Sequence, residues 1–207
     1  MAHIELLDET MRDGQQSLWG MRMQAGMALP VAPMIDRSGY RVIDLTGSSM
    51  FEVMIRHCQE NPWEGLDLMV GAMPRTPIRA GMRSNASVTF GVTPDALMDA
   101  WMRQLNVHGC RSFWVYDVLF NNDKTHRLAK VAKEFGSEVA GAIMFTLSPV
   151  HTDEYYADKA DKLSVCPDID TILLYDTAGV LEKERLTTLL PAIIEKSRGK
   201  PIEFHSN

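Results

Sequence analysis

The stretch Leu6-Leu7-Asp8-Glu9-Thr10-Met11-Arg12-Asp13-Gly14-Gln15-Gln16-Ser17 decides how the rest of the chain is organised. Two apolar residues lead into four charged side chains within six positions, and two amides follow them. Charged groups at the end of a buried strand are costly to desolvate unless they are paired. They therefore need each other, a metal or a polar ligand as partners. A solvated loop with internal Arg–Asp pairs is the alternative that this spacing leaves open.

The composition is that of a globular protein with one sizeable core, because 45% of the 207 residues are hydrophobic and 23% are charged. A net charge of −6 argues against a nucleic-acid surface. The three cysteines form no Cys-x-x-Cys pair, which favours a reducing, cytoplasmic location over a disulfide scaffold or a cysteine zinc site. We expect no signal peptide, and no apolar run approaches the roughly 20 residues of a membrane span.

Short apolar runs without polar alternation recur along the chain, as is typical of parallel strands buried on both faces. The predicted strands are Ile4–Leu7, Arg41–Leu45, Ile78–Met82, Phe113–Tyr116, Val139–Phe145, Thr171–Leu174 and Ile202–Phe204.

Helical patterns lie between these runs. Thr93-Pro94-Asp95 predicts an N-cap, a proline at the first helical position and an acid in the first turn, with Leu97, Ala100, Trp101 and Leu105 on one face. Pro191 should kink or interrupt the last helix. The other predicted helices are Met21–Asp36, a short one from Pro62, Asn122–Phe135 with Phe135 on its apolar face, His151–Leu163 and Leu181–Ser197.

This alternation predicts an α/β fold with a parallel sheet. Because no Gly-x-Gly-x-x-Gly follows the first strand, a TIM (β/α)8 barrel fits better than a dinucleotide-binding sheet. About seven strands can be counted in the chain, and a complete barrel has eight. We therefore expect residues 1–207 to form one incomplete barrel domain that ends in strand seven. The remainder is then either missing from this chain or supplied by another.

Polar residues follow every predicted strand, and in a barrel they all point to one mouth. Such a ring predicts a site for a polar ligand. Its members are Asp8, Glu9, Arg12, Asp13, Gln16, Asp44, Thr46, Arg83, Asn85, Asp117, Thr146, Ser148, His151, Tyr175, Asp176, Thr177, His205 and Asn207.

Two features of this ring suggest more specific chemistry. His205 and Asn207 lie on the same face of a strand and, with Asp8 across the mouth, could form an N/O metal site. A hydrogen-bonded histidine and a turn asparagine are the alternative. Arg12 and Arg83 could each bind a substrate carboxylate through the guanidinium fork, or could pair internally with nearby aspartates such as Asp13 or Asp44.

The opening stretch resembles the D-x-T-x-R-D-x-x-Q-S-L motif of the carboxyltransferase branch of the metal-dependent TIM-barrel lyases. This branch includes the carboxyltransferase domain of pyruvate carboxylase, the oxaloacetate decarboxylase α-subunit and the transcarboxylase large subunit. Three further stretches are similar to motifs of the branch: Asn61-Pro62-Trp63-Glu64, Thr146-Leu147-Ser148-Pro149-Val150-His151-Thr152 and Asp176-Thr177-Ala178-Gly179.

The resemblance implies a carboxyltransferase or decarboxylase that acts on a small 2-oxo acid, such as pyruvate or oxaloacetate, through an enolate. It implies metal ligation by Asp8 and His205 with Asn207, and binding of the substrate carboxylate and carbonyl by Gln16 and Arg83. The catalytic residues predicted in this way are Arg12, Asp13, Thr146, Tyr175 and Asp176, and Asp117 is predicted to bind substrate.

The chain departs from the family motifs at two metal positions. Tyr175 replaces a lysine that is carboxylated in the family, and Asn207 replaces a histidine. We therefore expect the site for a divalent metal (Zn, Mn, Mg or Co) to be weakened or absent. Gln15 also replaces a histidine that is usual in the opening motif.

The resemblance also predicts partners. Biotin would be supplied by another domain or chain, since no Ala-Met-Lys-Met motif is present. Biotin carboxyl carrier and biotin carboxylase components are the expected partners, in a homo-oligomer without nucleic acid or membrane insertion. Two alternatives remain open: a biotin-independent enzyme that cleaves C–C or C–N bonds in the same pocket, and a non-catalytic scaffold protein.

Overall fold

A computed structural model describes residues 4–87 and 91–207. Its centre is one curled sheet of seven parallel strands, in which each strand pairs with the next along the chain. The strands are β1 (Leu7–Asp8), β2 (Val42–Gly47), β3 (Ile78–Arg83), β4 (Cys110–Tyr116), β5 (Glu138–Met144), β6 (Thr171–Asp176) and β7 (Ile202–Ser206). Within the described residues β1 and β7 are not paired with each other. The predicted α/β fold, an incomplete barrel of about seven parallel strands, is confirmed.

Helices follow each of the first six strands. They are α1 (Gln15–Trp19), α2 (Ala25–Ala28), α3 (Ala32–Asp36), α4 (Ser48–Val53), α5 (Pro62–Ala72), α6 (Asp95–Val107), α7 (Asn122–Lys133), α8 (Asp153–Ser164) and α9 (Lys183–Lys196). Two π-helical turns, Thr10–Gly14 and Met54–Cys58, directly precede α1 and directly follow α4. In the described ranges no helix is both long and apolar enough to cross a membrane.

The sheet has two differently packed faces, because successive side chains of a strand point to opposite sides. In β4, Phe113 belongs to the larger cluster formed by the sheet and its helices, and it is fully buried there. Trp114 belongs instead to a smaller cluster with Leu173 and Tyr175, against which Tyr116 packs. This second cluster forms the inner face of the curl, and the polar site is built on it.

The N-terminal region differs from the prediction in two places. The first strand is Leu7–Asp8 rather than Ile4–Leu7, and Ile4 is 80% exposed. The predicted helix Met21–Asp36 is instead the pair α2 and α3, with Pro30 between them. Proline lacks the N–H that a continuous helix would use, so a break at this point is expected.

Helix α6 starts one residue later than predicted. Pro94 is its N-cap, and Thr93 Oγ1 accepts a hydrogen bond from the Ser87 amide at 3.2 Å instead of capping the helix. Leu97 was predicted on the buried face but is 58% exposed. Met98 is fully buried in its place.

Two further details were wrong in the prediction. Pro191 lies inside the continuous helix α9, so the interruption that was one of its two predicted effects does not occur. Phe135, predicted on the apolar face of α7, follows the end of that helix and is 41% exposed.

Candidate active site

The segment after β1 is a π-helical turn, Thr10–Gly14, that runs directly into α1. Such turns are rare and frequently occur at functional sites, because the extra residue rotates side chains away from the regular helical positions. Here the turn buries Arg12 and Asp13, whereas Gln16 in α1 stays exposed. The charged motif is therefore folded against the sheet and is not a solvated loop.

Arg12 is the centre of this arrangement, and its guanidinium is almost fully buried. It pairs with three carboxylates: Nε lies 3.1 Å from Asp44 Oδ2, Nη1 lies 3.0 Å from Asp13 Oδ1 and Nη2 lies 2.5 Å from Glu9 Oε2. Nη1 also lies 3.4 Å from Tyr175 Oη. Burial lowers the pKa of Arg12, but Asp44 and Glu9 outweigh it and hold the group charged. The structure thus shows the internal pairing that the sequence left open for Arg12.

Trp114 forms the floor beneath this guanidinium, which lies 5.2 Å from the ring centroid. Its indole stacks on Tyr116 and on Tyr175, both at 4.9 Å between centroids, and its Nε1–H donates to Asp44 Oδ2 at 2.7 Å. Gly81 provides the space, because an added Cβ there would lie 2.6 Å from the ring. Sequence reasoning did not single out Trp114, although its place two residues before Tyr116 in a strand puts both on the inner face.

A cavity of about 140 Å³ lies at the carboxyl ends of the strands and is open at Gln16. It brings together Arg12, Gln16, Arg83 and Tyr175, four of the residues predicted from the sequence. Arg83 Nε donates to Tyr116 Oη at 2.9 Å, which fixes the direction of this side chain. The other residues lining the cavity are Gly47, Ser48, Ser49, Gly81, Trp114, Tyr116, Met144 and Thr177.

His205 lies on the other side of Tyr175, in a cavity of about 520 Å³ between β1 and β7. Its Nδ1 is 3.6 Å from Glu9 Oε1 and its Nε2 is 3.6 Å from Asp13 Oδ2. Burial lowers the pKa of His205, but its contacts with Asp13 and Glu9 raise that pKa to about 9. Conversely, His205 lowers the pKa of Asp13 against the effect of burial. His205 is therefore held as a cation between two carboxylates.

Asp8 does not face this histidine. Both of its carboxylate oxygens accept hydrogen bonds from Thr10, one from the amide at 3.2 Å and one from the hydroxyl at 2.9 Å. Burial raises the pKa of Asp8. Asn207 does reach His205, with Oδ1 3.3 Å from Nε2, while its Nδ2 donates to the Thr177 carbonyl. Asp13 rather than Asp8 is therefore the aspartate that the fold brings to His205 and Asn207.

The donor set at this place does not fit a divalent metal. Across residues 4–87 and 91–207, no cluster of His, Cys, Asp and Glu side chains could hold such an ion. Burial raises the pKa of Tyr175 to about 12, against the effect of Arg12, so the phenol is neutral. Its nearest charged neighbour is the Arg12 guanidinium, which repels a second cation. Asn207 supplies only a neutral oxygen, a weak ligand for zinc-like ions.

Asp176, predicted to be catalytic, holds the loop after β6. Its Oδ1 accepts from the Val180 amide at 3.1 Å and its Oδ2 from the Leu181 amide at 2.7 Å. Gly179 in this loop has a φ of +63°, and a Cβ there would meet the Asn207 carbonyl. The Asp-Thr-Ala-Gly motif thus shapes a tight loop over the end of β7.

Asp117 and Thr146 also make mainly structural contacts. Asp117 accepts from the Ser84 hydroxyl and from the Leu119 amide. The amide and carbonyl of Thr146 both bond to Tyr156 Oη, at 2.8 and 2.7 Å, and its side chain is exposed at the end of β5. Their predicted roles in substrate binding and catalysis stay predictions.

The chain is similar to several known carboxylase and carboxyltransferase components. The chain is 32% identical over 204 residues to a pyruvate carboxylase subunit of Methanocaldococcus jannaschii, covering 99% of this chain and 36% of that relative. It is 28% identical to the methylmalonyl-CoA carboxyltransferase 5S subunit of Propionibacterium freudenreichii subsp. shermanii, covering 92% of this chain and 37% of that relative. No protein-family model matches the chain.

A solved structure has the same fold. The carboxyl transferase domain of Rhizobium etli pyruvate carboxylase, determined with pyruvate and biocytin, superimposes with a TM-score of 0.91 at 27% identity. The match covers 99% of this chain and 35% of that chain. The chain thus spans only about a third of the length of the relatives and the solved structure that it matches.

Proposed function

The chain is homologous in sequence and fold to the carboxyltransferase parts of pyruvate carboxylase and its relatives, and on this premise we propose that it forms the carboxyltransferase site of a biotin-dependent enzyme. The proposed substrate is a small 2-oxo acid of the pyruvate and oxaloacetate type. The single observation that carries the proposal is the cavity that joins Arg12, Gln16, Arg83 and Tyr175 at the carboxyl ends of the strands.

The cavity suits a small anion with a carbonyl group. Arg83, oriented by Tyr116, would hold the substrate carboxylate with its guanidinium fork, and Gln16 would donate to another oxygen of the substrate. Trp114 and Tyr116 form an apolar floor on which a planar carbonyl compound can lie.

Arg12 would act on the charge that develops in the reaction. When the C–C bond to the leaving carboxyl group breaks, its electron pair moves into the neighbouring carbon and carbonyl oxygen as an enolate. A fixed guanidinium in a water-poor cavity lowers the energy of such a charge more than it would in water. Arg12 meets this requirement because it is buried, charged and held by Asp44 in β2.

Biotin would be carried on another domain or chain, together with the carboxylase component that loads it. Carboxybiotin would supply the carboxyl group in one direction, and free biotin would accept it in the other. For this transfer, biotin must reach the cavity that holds Arg12 and Arg83. The exposed Gln16 lines the same cavity, which is therefore accessible from the surface. A homo-oligomeric assembly and a cytoplasmic location remain parts of the proposal.

The test is decarboxylation of oxaloacetate by the purified full-length protein, followed as pyruvate formation with and without free biotin and corrected for the uncatalysed rate. We expect catalysis by the wild type and a KM for oxaloacetate at least about tenfold higher in Arg83→Gln, because a charge-assisted contact to the carboxylate is lost. Arg37→Gln, at an exposed arginine after α3, is the matched control and should leave both constants unchanged. Absence of carboxyl release or transfer with every 2-oxo acid tried refutes the proposal.

A further inference from the structure

We propose that Trp114 is a positioning residue for Arg12, acting through Asp44, an inference that rests on the proposed role of Arg12 in the reaction. The three residues come from different parts of the fold, namely β4, the turn after β1, and β2. The indole N–H and the guanidinium Nε both bond to the same atom, Asp44 Oδ2, at 2.7 and 3.1 Å. Trp114 and Arg12 are thereby linked through one buried oxygen.

Arg12 needs such a link because most of its charge partners move with it. Glu9 and Asp13 belong to the same short turn as Arg12, so their ion pairs do not fix the guanidinium relative to the sheet. Asp44 is an anchor on a neighbouring strand and is fully buried. Tyr175, on β6, contributes a longer contact of 3.4 Å.

Asp44 in turn depends on Trp114. Its Oδ1 is a buried atom without a hydrogen-bond partner in the part of the chain that the structure describes. Its Oδ2 therefore carries the hydrogen bonds of this carboxylate side chain, from one neutral donor and one cation. Removing the indole N–H would leave Asp44 Oδ2 with a single donor. Burial already raises the pKa of this carboxyl to about 7, and the Trp114 hydrogen bond opposes that shift, so its loss weakens the hold of Asp44 on Arg12.

The ring itself is fixed in place. The Trp114 ring stacks on both Tyr116 and Tyr175, and Gly81 lies so close to the indole that an added Cβ would clash with Cζ2, Cε2 and Nε1. The guanidinium lies over the same ring at 5.2 Å, within the range of a cation–π contact. Trp114 therefore contacts the Arg12 guanidinium directly and also orients Asp44, the carboxylate that holds Arg12.

The test compares Trp114→Phe with Trp101→Phe in the full-length protein. Trp101 is a matched control, because it is also buried and its Nε1–H donates to Met82 Sδ in the core, away from the cavity. We expect Trp114→Phe to lower kcat for oxaloacetate decarboxylation by about 10- to 100-fold with KM nearly unchanged, as for the loss of a hydrogen bond to a charged group. Trp101→Phe should leave both constants unchanged.

A double-mutant cycle with Asp44→Asn decides whether Trp114 acts through this carboxylate. If it does, the double variant has the same kcat as Asp44→Asn alone. Additive losses, or a change in KM alone, overturn the inference. If the wild type shows no decarboxylation, the proposed function fails. The same cycle, read as unfolding free energies in urea, then tests the inference, because independent effects of the two substitutions would show that Trp114 and Asp44 are not coupled.

Discussion

Replacement of Gly81 by alanine tests whether the inner face of the sheet is as tightly packed as the structure indicates. Gly81 lies in β3 beside Trp114 of β4, and the two residues are paired in register. A Cβ at Gly81 would lie 2.6 Å from Cζ2, 2.7 Å from Cε2 and 2.9 Å from Nε1 of the indole. Nonbonded carbon atoms normally approach to roughly 3.5 Å, so the ring or the strand must move.

The cost follows from what holds the ring. Forcing an extra methyl group into a packed core costs about 1–3 kcal/mol. Displacing Trp114 also stretches its bond to Asp44 Oδ2, and a hydrogen bond to a charged group contributes about 1.5–3 kcal/mol. Because the Trp114 ring also stacks on Tyr116 and Tyr175, it cannot move without disturbing these contacts. We therefore expect most of both costs, a loss of about 2–5 kcal/mol in the free energy of unfolding.

Urea unfolding followed by far-UV circular dichroism measures this loss as a lower midpoint at an unchanged m-value. Gly71→Ala is the matched control, since its Cβ would meet no atom within 4 Å and it lies in α5. Alanine there should be neutral or stabilise by about 0.5–1 kcal/mol, because glycine is a poor helix former. A Gly81→Ala protein within about 0.5 kcal/mol of the wild type refutes the close packing, since surface changes have effects of that size.

Two further substitutions test the cavity and a buried ion pair of β7. Tyr116→Phe removes the acceptor of Arg83 Nε but keeps the aromatic ring, so KM for oxaloacetate should rise by roughly tenfold with kcat nearly unchanged. Tyr40→Phe, in the turn before β2, is the control, and an unchanged KM in Tyr116→Phe would contradict the role of Arg83. Glu203→Gln leaves the buried Arg79 without its carboxylate, which lies 2.7 Å from Nη1, and should destabilise the protein by about 3–5 kcal/mol in urea. Glu134→Gln, in an exposed pair with Arg103, should leave the urea midpoint almost unchanged, and an equally small effect of Glu203→Gln would show that its pair is not important for stability.

The strand and helix pattern was predictable because it depends on local chemistry. Parallel strands buried on both faces need continuous apolar runs, and these runs located all of the strands β1 to β7 to within a few residues. The prediction of helix starts from capping residues was less reliable. Thr93 has the side chain of an N-cap, yet its hydroxyl accepts from the Ser87 amide, and its own amide donates to the Asn85 carbonyl. Only the tertiary structure could reveal these partners.

The candidate site was partly predictable for the same reason. Gln16, Arg83, Arg12 and Tyr175 follow strands, and parallel strands deliver their ends to one edge, so these four could be grouped before the structure was known. The partner of each charge could not be predicted, since it depends on which side chains face one another across the curl. Asp8 illustrates this, because it bonds to Thr10 two residues away while Asp13 faces His205.

The sequence alone determined the fold class, the edge of the sheet that carries the polar residues and the resemblance to carboxyltransferases, because periodicity and motifs are properties of the chain itself. The tertiary structure decided how the charges are paired and which aromatic ring supports them. Trp114 became visible as part of the site only when β2, β3 and β4 were placed side by side, with Asp44 bonded to the indole Nε1 and Gly81 packed against the ring. Such contacts depend on distances between residues far apart in the chain, which local preferences do not encode.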